Sequence, residues 1–135
     1  MKRIFLTIAI TVFFTVLYSC KTVPVIPNNA SSTQLIQLGQ DAAESSNYDA
    51  AEMYYEAVIK RYGMNTSTYI EAKYELGHLY KNTKKYNEAF SAFNEILSIF
   101  ENAEPGSLPA AYKKLAKMGI SSLPEKYQHK TTTKL

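Results

Sequence analysis

A self-match at a fixed interval constrains this chain of 135 residues more than any other feature. Leu38-Gly39 is followed by Tyr48, Ala51 and Tyr55, and Leu76-Gly77 by Tyr86, Ala89 and Phe93. The offsets from the glycine are 9, 12 and 16 in both copies, and the two glycines stand 38 positions apart. Repetition at such a period predicts stacked helical hairpins, each burying against its neighbour an apolar face that it cannot bury alone. That architecture belongs to binding surfaces rather than to catalysis.

The length suits one small domain. A hydrophobic share of 46% with 20% charged residues is that of a globular chain. The formal net charge is +3, but Lys2 and Arg3 fall in an apolar leader, and from Cys20 onward 13 Lys/Arg face 12 Asp/Glu. That balance gives no case for nucleic-acid binding. The charge is unevenly placed: Asp41, Glu44, Asp49, Glu52 and Glu56 crowd the first unit, while Lys113, Lys114, Lys117 and Lys126 crowd the end. Such runs read as solvated helix faces, or as an electropositive end near an anionic membrane or an acidic partner.

The N-terminus reads as an address. Lys2-Arg3 precede an apolar run over residues 4–18, which ends at Leu17-Tyr18-Ser19-Cys20. Charge, apolar run and small-residue site are the parts of a secretory signal, and the run is shorter than the roughly 20 residues of a spanning helix. The single cysteine cannot form an internal disulfide. Its position resembles a bacterial lipobox, which implies cleavage before Cys20 and acylation of that residue. Leu17 and Ser19 fit the pattern; Tyr18 departs from it, because a smaller residue is usual there. An uncleaved anchor and ordinary secretion are the other readings. Several acyl chains would hold the protein stably where a single chain does so only marginally. Lys21, rather than an aspartate, follows the cysteine, which points to the outer membrane, facing the periplasm.

The expected organisation is a signal peptide over 1–19, an acylated Cys20 and flexible tether over 20–32, a helical domain over 33–120 and a polar, fraying tail over 121–135. Pro24, Pro27 and Asn28-Asn29 keep the tether from forming helix. Ser31-Ser32-Thr33 supply an N-cap for a first helix with Leu35, Leu38, Ala42 and Ala43 on one face. Asn47 is expected in a left-handed cap. A second helix spans residues 48–62 and ends at Gly63. Thr68 and Glu71 have capping-box spacing, which predicts a third helix over 68–82 after a long 63–68 loop. A fourth is expected over 86–100, with Ala89, Phe93, Ile96, Leu97 and Phe100 inward. A fifth is expected over 108–118, with Pro109 in its first turn.

The repeat resembles the tetratricopeptide repeat (TPR). Gly39 and Gly77 match the small position of the first helix, Ala51 and Ala89 that of the second, and Tyr48/Tyr86 and Tyr55/Phe93 the bulky positions. Helices approach to about 8 Å only where side chains are small. A helical glycine costs about 1 kcal/mol, so its recurrence at one register argues for a packing role. The period is longer than the usual 34 residues, and the repeat's terminal proline is replaced by Gly63 and Glu101. Residues 111–116 parallel 72–77 at a shift of 39 and are expected to form a capping helix. The resemblance covers about residues 33–118. It implies an all-α, TPR-like helical-hairpin solenoid of two full repeats plus a capping helix. The segment Ala72–Gly77 is most similar to repeats of bacterial envelope lipoproteins, of the outer-membrane assembly lipoprotein and TolA-binding coordinator types.

In that family the first helix of each unit lines a concave groove. Projecting the register gives Ile36, Gln40, Ala43 and Glu44 from unit one, Glu71, Tyr74, His78, Lys81 and Asn82 from unit two, and Lys113 and Lys117 from the last helix. Such a surface suits a peptide, its amides bonding the backbone. The bland reading of each is a solvated helix position. His78 stands without a Cys/His/Asp cluster at ligand spacing, so no metal is expected. Ser45-Ser46 and Ser121-Ser122 lack a paired His and carboxylate, and no glycine-rich phosphate loop occurs. No cofactor or catalysis is therefore expected. The eleven tyrosines are expected mostly at core positions. The implied function is a membrane-anchored, non-catalytic scaffold or adaptor that binds a peptide segment or subunit of an envelope complex. The alternatives are a small-ligand-handling accessory lipoprotein of a transport system, and an enzyme subunit with no chemistry of its own.

Overall fold

The computed structural model describes residues 24–128. Cys20 and the leader lie outside the described residues. Five helices follow one another: α1 (Ser32–Glu44), α2 (Tyr48–Tyr62), α3 (Thr66–Asn82), α4 (Tyr86–Asn102) and α5 (Ala110–Ser121), with a short 3-10 turn at Glu125–Tyr127. Each helix packs on the next, and α3 also touches both α1 and α5. The fold is all-α and TPR-like: hairpins α1–α2 and α3–α4 are stacked, and α5 covers the end. Among the described residues no helix is long and apolar enough to cross a membrane.

The doubled glycine motif is the joint of each hairpin. A Cβ on Gly39 would lie 2.3 Å from Tyr55 Cε1, and one on Gly77 would lie 2.7 Å from Phe93 Cε1. Each ring therefore lies on the bare backbone of the partner helix, where no side chain would fit. Phe93 is pressed from a second side. A Cβ on Gly119, in α5, would stand 2.7 Å from the same ring. Gly119 lies off the 39-residue shift that relates residues 111–116 to 72–77, which is why the repeat did not point to it. Tyr55 and Phe93 are almost fully enclosed, as are Leu35, Ile70, Ile96 and Val58.

The duplication extends to the turns. Ser46 (φ 61°) and Lys84 (φ 63°) both sit in the left-handed region. The amides of Asn47 and Lys85 each donate to a carbonyl five residues back, on Ala42 and Tyr80, both at 2.8 Å. Ser46 and Lys84 donate to Ala43 and Lys81, at 3.0 and 3.1 Å. These are paired Schellman turns, which satisfy the last carbonyls of a helix. The left-handed residue is thus Ser46 and not Asn47. Asn47 instead caps α2, its side chain accepting from the Ala50 amide at 3.4 Å.

The start of α1 is a full capping box. Ser31 Oγ accepts from the Gln34 amide at 3.2 Å, and Gln34 Oε1 accepts from the Ser31 amide at 2.9 Å. The helix α3 starts earlier than its sequence suggests. Asn65 accepts from the Thr68 amide at 3.1 Å, so the helix begins at Thr66 and the expected Thr68/Glu71 box does not form. The extra residues of the long period therefore lengthen α3, which has 17 residues against 13 in α1, and leave only Gly63, Met64 and Asn65 as connection. Pro109 is the N-cap of α5 rather than part of its first turn, and the helix continues to Ser121.

Both flanks are tied down. The Tyr62 hydroxyl donates to the Ala30 carbonyl at 2.6 Å, and Arg61 donates to the Pro27 carbonyl at 2.6 Å. Past Ser121, where a fraying tail was expected, Leu123 is buried beside Phe93. The Tyr127 ring lies 5.2 Å from that of Tyr86, and Gln128 Nε2 donates to the Leu123 carbonyl at 2.7 Å.

Candidate partner-binding groove

The first helices of the two units, α1 and α3, lie side by side and leave an open concave cavity of about 540 Å³. Five of the residues projected from the sequence meet there: Gln40, Ala43 and Glu44 from α1, His78 and Asn82 from α3. Tyr48, Tyr55, Glu75 and Leu79 complete its lining. Ile36, expected in the groove, is buried with Val58 and Ala72 instead. It faces the seam where α1, α2 and α3 meet, and burying its side chain there stabilises the fold by about 1.5–3 kcal/mol. Tyr48, expected in the core, is 40% exposed at the cavity mouth.

Glu75 joins the cavity without being one of the residues projected from the repeat register. It lies four positions after Glu71 and three before His78, so helical spacing puts it on their stripe. Gln40 Nε2 donates to its Oε1 at 3.0 Å, a hydrogen bond that crosses the groove between units. Burial pushes the Glu75 carboxyl above the ordinary range, and the bond from Gln40 partly offsets this. Glu71 is raised in the same direction by burial and then by the charge of Glu75. Among the described residues no ion pair relieves either carboxylate. The phenols beside them respond in kind. Tyr55 is pushed up by burial, then by Glu75 and Asp41. Tyr112 is pushed up by burial, then by Glu71 and Glu75.

His78 is shifted the other way, its protonation disfavoured by burial and then by Lys81. It is therefore a neutral imidazole at neutral pH, with Asn82 Nδ2 3.3 Å from its Nδ1. Tyr74 packs 6.2 Å from the His78 ring and edge-on to Tyr112 at 5.7 Å. This contact carries the concave surface from α3 on to α5. Lys113 and Lys117 lie exposed on α5. Among the described residues no hydrogen bond or ion pair joins them to the other projected residues.

The opposite side of α3 carries polar ties between helices. Lys73 pairs with Glu95 at 2.9 Å, and Tyr69 donates to the same carboxylate. Lys85 pairs with Glu52 at 3.0 Å, and Tyr80 donates to it at 2.7 Å. Each of these carboxylates has a lysine partner, whereas among the described residues Glu71 and Glu75 have none. The described residues contain no group of three or more His, Cys, Asp or Glu side chains arranged to hold a metal ion.

The class that this geometry defines is a short TPR-like solenoid with an open groove. Comparison with known proteins agrees on the repeat: residues 70–102, covering most of α3 and all of α4, match the tetratricopeptide repeat family. The chain is also similar to an uncharacterized protein of Treponema pallidum (strain Nichols), with 32% identity over 113 residues. That match covers 82% of this chain but 44% of the relative, so the chain spans less than half of the relative's length. No solved structure matches. A TPR repeat of this kind suggests a non-catalytic scaffold for protein–protein interaction.

Proposed function

We propose that this protein is a membrane-tethered adaptor of a bacterial cell-envelope complex, holding a peptide segment or a neighbouring subunit in the α1–α3 groove. The observation that carries this reading is the convergence of Gln40, Glu44, His78 and Asn82 from two units on one open cavity. An open surface rimmed by amides and carboxylates suits an extended or helical chain. A small-ligand carrier would need an apolar enclosure. The tether rests on the sequence: an apolar leader that ends in Leu17-Tyr18-Ser19-Cys20. Acylation at Cys20 would fix the solenoid close to the membrane, with the outer membrane and its periplasmic face the preferred location. The adaptor performs no chemistry and needs no cofactor.

Two experiments separate the parts of this proposal. Cys20→Ala should release the processed protein from the membrane pellet; processed protein that stays in the pellet refutes the lipid anchor. Crosslinked affinity purification from intact envelopes should recover a partner that is lost when Gln40, Glu44 and Asn82 are replaced together by alanine. Recovery of the same proteins with that variant removes the groove from the proposal.

A further inference from the structure

Lys81 stands beside His78, but the stretch of α3 around Glu71 and Glu75 is acidic, and that narrows the occupant. Glu71 and Glu75 lie four residues apart on α3, the spacing at which like charges repel. Glu44 lines the same cavity as Glu75, and Asp41 acts on Tyr55 from α1. Gln40 gives Glu75 one neutral donor, and no described cation pairs with Glu71 or Glu75. The contrast lies across α3. On the far side of α3, Glu95 and Glu52 each have a lysine partner at about 3 Å. Beside the two unrelieved carboxylates stands the edge-packed pair Tyr74 and Tyr112. Ring faces and carboxylates are the two groups that attract an ammonium or guanidinium.

We infer that the groove takes a cationic chain segment, with a Lys or Arg side chain of the partner seated between Glu71 and Glu75 and against the Tyr74–Tyr112 pair. This rests on the adaptor reading above and adds the partner's chemistry. Charge complementarity across such a surface selects partners and speeds encounter more than it adds raw affinity. The cation would supply a counter-charge that neither carboxylate has among the described residues. The apolar cavity wall at Ala43 and Leu79 then takes an aliphatic side chain on the same segment.

The test uses the full chain in detergent micelles and three fluorescently labelled peptides of one apolar sequence. Their alternate positions carry Lys, Ser or Glu. Anisotropy titration should show the Lys peptide binding at least about tenfold tighter than the Ser peptide. The Glu peptide should be weakest, and added salt should narrow the difference. The double variant E71Q/E75Q should erase the preference while keeping its helical circular dichroism. Equal binding of the Lys and Ser peptides, or a preference that survives E71Q/E75Q, overturns the cationic assignment and leaves the peptide groove standing. Failure of all three peptides to bind removes the groove reading itself. Sedimentation that shows self-association lost in E71Q/E75Q would give the groove to a second copy and overturn the inference.

Discussion

The two hairpin joints are built on one plan and finished differently. Tyr55 rests on Gly39, and its ring also lines the groove. Phe93 rests on Gly77 and is closed from another side by Gly119 of α5. A phenol stands where the ring meets the groove, and a phenyl where a third helix seals it. Buried hydroxyls need partners, so the sealed joint takes the ring without one. The comparison shows how a repeat keeps its packing geometry while its polarity follows what lies beyond the unit.

Truncating the rings should break the joints unequally. Phe93→Ala is expected to cost about 3–5 kcal/mol, because it opens a cavity walled by three helices. Tyr55→Ala should cost less, since water from the groove can fill part of the void. Urea denaturation of both variants checks this. If Tyr55→Ala proves the more destabilising, the sealed and open joints are not distinct.

Adding a methyl beneath the rings is the next largest effect. Gly77→Ala and Gly39→Ala each gain about 1 kcal/mol of helix propensity. Each then meets a rigid ring at 2.7 or 2.3 Å, and overpacking of this kind costs about 1–3 kcal/mol. Both variants should therefore melt at lower temperature, with Gly77→Ala the worse, because Phe93 is pressed by Gly119 and cannot retreat. A rise in melting temperature for either would show that its ring is free to move.

The turns should respond in the opposite direction, and alike. Ser46 and Lys84 hold left-handed geometry that glycine adopts freely, at a cost of about 1–2 kcal/mol for other residues. After the added freedom of the unfolded chain is subtracted, Ser46→Gly and Lys84→Gly should each stabilise by about 0.5–1 kcal/mol. Unequal gains would show that the two Schellman turns differ in more than sequence.

The smallest effect is electrostatic. The folded values of Glu71 and Glu75 are raised by burial, so the folded chain binds protons more readily than the unfolded one. Between the raised folded values and the ordinary carboxylate range, acidification therefore stabilises the fold. His78 works against this, since its depressed folded value makes protonation destabilising. The readout is consequently the difference between variants. Glu75→Gln should be neutral or slightly stabilising near pH 7, and that difference should shrink as the pH falls toward about 4.

Much of this fold could be read from spacing. The glycine-to-ring offsets identified both joints, and helical periodicity placed α2 with both ends correct. What escaped depended on tertiary contact. Gly119 packs on Phe93 from outside the repeat register. The chain beyond Ser121 looks polar, yet Leu123 and Tyr127 anchor it. The start of α3 turned on a choice between two chemically adequate caps, Asn65 and Thr68. In the groove, projection named Gln40, Ala43, Glu44, His78 and Asn82, which line one cavity. It sent Ile36 to the wrong face, because a helix wedged between two neighbours buries a wider stripe than a simple amphipath. Glu75 lay on the right stripe, but nothing in its type marked it until burial and Gln40 did.

The central claim is that the α1–α3 surface, and not the opposite side of α3, meets the partner. A photo-crosslinking amino acid placed at Glu44 or Asn82, both exposed at the cavity, and at Ser91 on the other side tests it directly. Illumination of intact cells should yield a discrete adduct from positions 44 and 82 and none from 91. An adduct from position 91 alone would contradict the account.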